Sequence, residues 1–186
     1  HADCYCAWGN VAKKSVEKEA PGTNVELTGN PRFDLLQKPH RTFYAHDANQ
    51  LNQEYGEFVL FNTNFSMSNG ENSADFIFSN FDENDSSKEY ILNVFKKQVK
   101  IFGEFLHLIA EVAEKFPNKN IIIRPHPGEK PSFYENILYA YDNVHVEKRL
   151  EVRPWIMAAE AVIHNSCTTG VTSALLDTPV IAYVPD

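Results

Sequence analysis

Two polar breaks in the chain carry residue types that can hold a phosphate. The first follows the apolar run Ile121-Ile122-Ile123 and reads Arg124-Pro125-His126-Pro127-Gly128-Glu129. The second follows Ala161-Val162-Ile163 and reads His164-Asn165-Ser166-Cys167-Thr168-Thr169-Gly170, then runs into Val171-Thr172-Ser173-Ala174-Leu175-Leu176. A guanidinium grips phosphate oxygens in pairs, and an imidazole N–H donates to one. Pro125 and Pro127 cannot donate to a sheet ladder, so they end the strand and stiffen the loop presenting Arg124 and His126. In the second break, Ser166 stands where a helix N-cap belongs, with Thr168, Thr169 and Gly170 in the first turn. Free N–H groups, a partial positive charge and extra hydroxyls meet there. Each break also has a plainer account. His126 reads equally as a surface loop residue, Arg124 as an ion-paired edge residue and Ser166 as a simple cap. Their joint occurrence after two buried-type strands points to a nucleotide mono- or diphosphate site at the carboxyl ends of parallel strands.

A third polar stretch, Asn62-Thr63-Asn64-Phe65-Ser66, follows the apolar run Phe58–Phe61. Asn62, Thr63, Asn64 and Ser66 can meet a sugar, a phosphate or an acceptor across a cleft, or simply line a solvated loop. The other histidines carry less. His107 lies within a helical pattern. His145 alternates with Val144 and Val146 and so faces the other side of its strand. His164 reads as a hydrogen-bonded core histidine. No spacing matches a zinc site, an HExxH helix or a Walker loop, and GxSxG is absent, so metal ligands and a hydrolase elbow are not expected.

Elements that alternate between strand and helix must position these breaks. Short strands are expected at Cys4–Trp8 and Val25–Leu27, with a helix over 10–20 between them and a helical turn over 32–37. The polar stretch 39–56 shows no sustained period and reads as a linker with room for one helix. Strands follow at 58–61, 120–124, 144–146, 161–164 and 179–184. The long apolar spacing of Ile91, Val94, Phe95, Ile101, Phe105, Leu108, Ile109 and Val112 predicts a helix over 88–116. Shorter helices are expected over 132–141, 154–160 and 167–176, and a long loop over 67–87. This order predicts an α/β fold with a parallel sheet and helices on both faces.

The bulk composition narrows the classes. The chain has 186 residues, 43% hydrophobic and 23% charged, as in an ordinary globular protein. Its 17 basic and 25 acidic residues give a net charge of −8, with the acidic residues dispersed. That balance argues against a protein gripping a nucleic-acid polymer through its bulk field. No apolar run approaches the ~20 residues of a spanning helix, and no signal peptide opens the chain. Three cysteines form no disulfide framework; Cys4 and Cys6 read as structural thiols of a reducing cytosol. A start at His1, without Met, and an end just after a strand read as an internal segment of a longer protein.

At these residues the chain resembles the carboxyl-terminal half of a GT-B glycosyltransferase. More narrowly, it resembles bacterial surface-carbohydrate (capsule and lipopolysaccharide) biosynthesis proteins, among them sialyltransferases, Kdo transferases and polyglycerolphosphate transferases. His126-Pro127 is similar to the HP motif of that group, and Ser166 with Thr168 and Thr169 to its Ser/Thr motif. Trp8-Gly9 and Thr28-Gly29-Asn30-Pro31-Arg32-Phe33-Asp34 look like the exit from the amino-terminal domain. Phe61-Asn62-Thr63-Asn64-Phe65 looks like the opening of the carboxyl-terminal one. The resemblance implies a Rossmann-like donor-binding domain over 57–186, a linker over 39–56 and the tail of an amino-terminal Rossmann-like domain over 1–38. It implies a CMP- or CDP-linked sugar as substrate, no cofactor and no bound catalytic metal. Leaving-phosphate charge would be met by Arg124, His126, the Ser166 helix start and hydroxyls. A glycan or lipid-linked acceptor is implied as partner, and a cytoplasmic protein whose full-length form associates peripherally with the inner face of the plasma membrane. The catalytic base is assigned to no residue, because such enzymes usually carry it in the amino-terminal domain. Many GT-B enzymes place a ribose-binding Glu before the Ala of the last helix; here that position is Ser173. A sugar-nucleotide epimerase of the same fold and a non-catalytic nucleotide-binding domain are the alternatives.

Overall fold

The computed structural model describes residues 3–70 and 87–185. The chain divides into two compact units, His1–Arg41 and Thr42–Asp186. In the first unit, β1 (Tyr5–Ala7) and β2 (Val25–Leu27) pair in parallel with Ala7 opposite Leu27, and α1 (Asn10–Glu19) makes the crossover. The short helix α2 (Pro31–Asp34) starts at Asn30, whose side chain accepts the Arg32 N–H at 3.0 Å. Pro31 takes the first turn, where its missing N–H costs least. Trp8 meets Phe33 edge-on at 5.8 Å. A 3-10 turn, His40–Tyr44, spans the boundary between the units.

The second unit holds α3 (Ala45–Tyr55), β3 (Phe58–Asn62), α4 (Ser66–Asn69), α5 (Ser87–Lys115), β4 (Asn120–Arg124), α6 (Pro131–Ile137), β5 (Val144–Val146), α7 (Val152–Ala158), β6 (Ala161–His164), α8 (Thr169–Leu175) and β7 (Val180–Ala182). Its five strands lie in the order β5-β4-β3-β6-β7, all parallel. The chain runs outward from β3 to β5 and then returns to the other side of β3. Strand order therefore reverses at β3, which opens a crevice beyond the carboxyl ends there.

Burial on both faces explains the continuous apolar runs. Val59, Phe61, Ile121, Ile123 and Ile163 point to one face, where Phe102, Phe105, Ile109 and Ala113 of α5 cover them with Tyr134 and Leu138 of the α6 region. Those α5 positions recur every three or four residues, which places them on one stripe. Phe58, Leu60, Ile122 and Val162 alternate to the other face and are fully buried. There Phe58 meets Trp155 of α7 at 6.0 Å, and α3 packs on α7.

The stretch 39–56 is not a free linker. Its helix, α3, buries Ala48 and Leu51 and belongs to the second unit, whose boundary lies at Arg41. The loop expected over 67–87 begins with a helical turn, α4, followed by a bridge from Gly70 to Glu129; the remainder lies outside the described residues. The last helix starts two residues later than expected. Thr168, not Ser166, holds the N-cap position, and no side chain caps it. Ser166 instead adopts a left-handed φ of 52°, which turns the chain before the helix can begin.

Candidate functional site

A cleft of about 630 Å³ opens at the carboxyl ends of β3, β4, β5 and β6. It gathers Asn62, Thr63 and Asn64 from the polar stretch after β3, and Arg124, Pro125, His126 and Pro127 from the break after β4. Ser166, Cys167, Thr168 and Thr169 come from the break after β6, and Lys148, Leu150, Glu151 and Val152 follow β5. Of the residues anticipated from sequence, only Ser66 stays out of the lining. It acts one step back, through His126.

The imidazole of His126 is held in one tautomer. Its Nδ1 accepts the Gly128 N–H at 3.2 Å and faces the Ser66 hydroxyl at 3.0 Å. A nitrogen that accepts a backbone N–H has no proton of its own, so the neutral ring carries its hydrogen on Nε2. His126 itself is exposed and lines the cleft, which makes it a donor there.

Beneath this loop lies a carboxylate that sequence reasoning missed. Glu129 is 1% exposed. Its oxygens accept the Thr63 hydroxyl at 3.0 and 3.1 Å, the Phe65 N–H at 3.0 Å and the His126 N–H at 3.0 Å. The Tyr134 hydroxyl donates to it as well. Burial, and then the charge of Glu129, push the Tyr134 phenol well above its ordinary range. One carboxylate thus ties the loop after β3 to the loop after β4. Lys148 fastens the same loop from the β5 side, donating to the carbonyls of Glu129 at 2.6 Å and Pro127 at 3.3 Å. Asn165 joins the loop after β6. Its Oδ1 accepts the Asn64 N–H at 3.0 Å, and its Nδ2 donates to the Asn64 carbonyl at 3.4 Å.

Arg124 lines the cleft but spends its terminal nitrogens on the protein. Nη1 donates to the Arg149 carbonyl at 2.7 Å and Nη2 to the Leu150 carbonyl at 3.0 Å, while the guanidinium lies 5.2 Å from the Trp155 ring. Burial lowers its pKa to about 10, so it stays charged at neutral pH. It braces the loop after β5 and keeps a positive charge on that side. Glu151 lies on the same loop, paired with Arg153 at 2.6 Å, and burial holds its carboxyl above the usual range.

The β6 side is shaped by His164. Its Nδ1 accepts the Cys167 N–H at 3.1 Å, and burial lowers its pKa, favouring the neutral ring. A Cβ at Gly170 would fall 2.4 Å from His164 Nε2, so the close approach that glycine permits is to this ring. The Thr169 hydroxyl is engaged with Cys167 Sγ. Ser173 is fully buried and donates to the Thr169 carbonyl at 2.8 Å, so it is absent from the lining. His145 faces the side opposite Val144 and Val146, as alternation predicts, and its Nε2 meets Asn120 Oδ1 at 2.9 Å. The exposed His107 pairs with Glu111 one turn on, at 3.3 Å. Among the described residues, no cluster of three or more His, Cys, Asp or Glu is arranged to hold a metal.

Glu129, Lys148, Glu151 and Asn165 were not singled out from sequence. Glu129 stands three residues after His126, but nothing local marks it as buried.

No protein-family model and no curated protein matches the chain. Solved structures do match. A structure of the wall teichoic acid polymerase TagF soaked with CDPG aligns over 97% of this chain and 38% of the polymerase, at 12% identity and a TM-score of 0.50. A second TagF structure aligns over 96% and 38%, at 13% identity and 0.48. The E. coli heptosyltransferase WaaC with ADP-2-deoxy-2-fluoro heptose aligns over 98% and 46%, at 14% identity and 0.45. The chain thus spans less than half the length of each. The likeness to the first concerns the fold: an α/β unit with a parallel sheet flanked by helices, matching a GT-B glycosyltransferase fragment. Among the described residues, no helix is long and apolar enough to cross a membrane.

Proposed function

We propose that the chain is the donor-binding part of a glycosyltransferase that takes a nucleotide-activated sugar, CMP- or CDP-linked, in bacterial surface polysaccharide synthesis. The observation that carries this reading is the cleft at the strand-order reversal, lined by His126, whose ring hydrogen lies on Nε2, together with Arg124 and Lys148. Nucleotides bind at such reversals in open parallel sheets. Fixed donors and cations there meet the charge that develops on a leaving phosphate without reorganising. His126 serves as the main donor and Arg124 contributes charge from behind its loop. Ser166, Thr168 and Thr169 form the opposite wall. The acceptor is a glycan or a lipid-linked glycan, and no resident cofactor or metal takes part. Calorimetric titration of the protein with CMP, CDP, UDP and GDP tests the reading. Tighter binding of the two cytidine nucleotides is expected, and no binding of any nucleotide would overturn it.

Glu151 gives the epimerase alternative a cleft carboxylate with a raised pKa, the kind of group that exchanges a proton at a sugar carbon. Incubation with a nucleotide-sugar in deuterated water separates the two: an epimerase places deuterium on the ring, whereas a transferase releases the nucleotide.

A further inference from the structure

Where the sheet stops, three polar side chains form one row. Asn62 pairs in the ladder with Arg124 on one side and with His164 on the other, so all three point to the same face. Two of them have partners. Arg124 donates to the carbonyls of Arg149 and Leu150, and His164 accepts the Cys167 N–H. Asn62 differs. Its side chain is 3% exposed, its Nδ2 is buried with no hydrogen-bond partner, and the residue lines the cleft. Buried donors without partners are rare, and each opposes folding. One placed in the wall of an open cleft is satisfied when a ligand brings an acceptor to it.

The surroundings identify the acceptor. An amide nitrogen only donates, so its partner is an acceptor atom. Arg124, the neighbour in the row, is cationic, with Glu147 and Glu151 offsetting part of its charge. His126, whose hydrogen lies on Nε2, and Lys148 line the same cleft. Three residues that favour negative charge share the cleft lining with one neutral donor. We propose that Asn62 is a specificity-determining residue whose Nδ2–H binds a phosphoryl oxygen of the nucleotide at the floor of the cleft. This assignment rests on the nucleotide reading above. A neutral amide suits the place, because a second buried cation beside Arg124 would add repulsion and desolvation cost.

The experiment titrates CDP and inorganic pyrophosphate into the wild type and three variants, and records the thermal midpoint of each free protein. Asn62→Asp keeps the shape and replaces the donor with a carboxylate; it should weaken both ligands by well over tenfold. Asn62→Leu removes the unpaired donor at similar volume. It should melt at or above the wild type yet bind both ligands about tenfold more weakly. Asn62→Ala replaces it if the leucine variant fails to fold. Variants that bind both ligands as tightly as the wild type overturn the assignment and leave the nucleotide reading standing. Loss of CDP affinity with pyrophosphate affinity unchanged, or a wild type that binds CDP but not pyrophosphate, overturns it too, since Asn62 would then read the nucleoside. A wild type that binds neither ligand defeats both readings together.

Discussion

Three residues apart on one loop, His126 and Glu129 have opposite surroundings and opposite consequences. His126 is exposed, and its Nδ1 is occupied by Gly128 and Ser66. His126→Ala therefore removes a cleft donor and little packing. Nucleotide affinity should fall by ~1–3 kcal/mol with the melting point nearly unchanged. Glu129 is buried among four donors. Glu129→Ala strands the Thr63 and Tyr134 hydroxyls and two backbone N–H groups, and should cost about 3 kcal/mol of stability or more. Denaturant unfolding and calorimetry on both variants check the contrast; similar stabilities for the two would refute the hub. The contrast also marks what the sequence can tell. A histidine between prolines announces its position by local rules. The burial of Glu129 depends on the nearby Tyr134 but also on Thr63 and Phe65, which lie 66 and 64 residues earlier in the chain. Arg124 shows a subtler limit: its place at the strand end was legible, but its stacking on Trp155 was not.

Among elements, those with a full apolar stripe or run were legible and those held by one or two anchors were not. The five strands of the larger sheet, and the helix α5, follow directly from apolar spacing. Helix α3 buries only Ala48 and Leu51, one turn apart in a polar segment, which is too few for a visible period. The start of α8 was misplaced because Ser166 carries a capping side chain but a left-handed backbone. Helix α8 is instead seated against His164, and Gly170 is the residue that allows it. Gly170→Ala puts a methyl 2.4 Å from His164 Nε2. The ring is 7% exposed and its other nitrogen is bonded to Cys167, so it has little room to retreat. Overpacking of this kind should lower stability by ~1–3 kcal/mol, read as a lower thermal midpoint. An unchanged midpoint would mean that α8 can shift away from the strand without loss.

At the scale of the molecule, the alternation of strands and helices made a parallel sheet legible but not its order. Nothing in the sequence says that β6 returns beside β3 rather than extending past β5. That return creates the crevice, because it leaves the loops after β3, β4 and β6 facing one space. It also lets a chain of net charge −8 present cations locally: Arg124 and Lys148 line the cleft, with Glu151 the one carboxylate among its described lining residues. Every lining residue lies within Thr42–Asp186, as do the Glu129 hub and the Asn64–Asn165 clamp that hold the loops. A fragment of residues 42–186 should therefore keep the cleft. Its core is continuous, with α5 and α6 on one sheet face and α3 and α7 on the other, and it is long enough to bury that core. The expected result is a cooperatively unfolding fragment that binds CDP within about threefold of the whole chain, a difference under 0.7 kcal/mol. Starting the fragment at 57 removes α3 and uncovers the face of α7 on which it packs, so that version should unfold more readily and bind more weakly. If the 42–186 fragment folds but loses CDP while the whole chain binds it, the site does not reside in the cleft described, and His126 is not its principal donor.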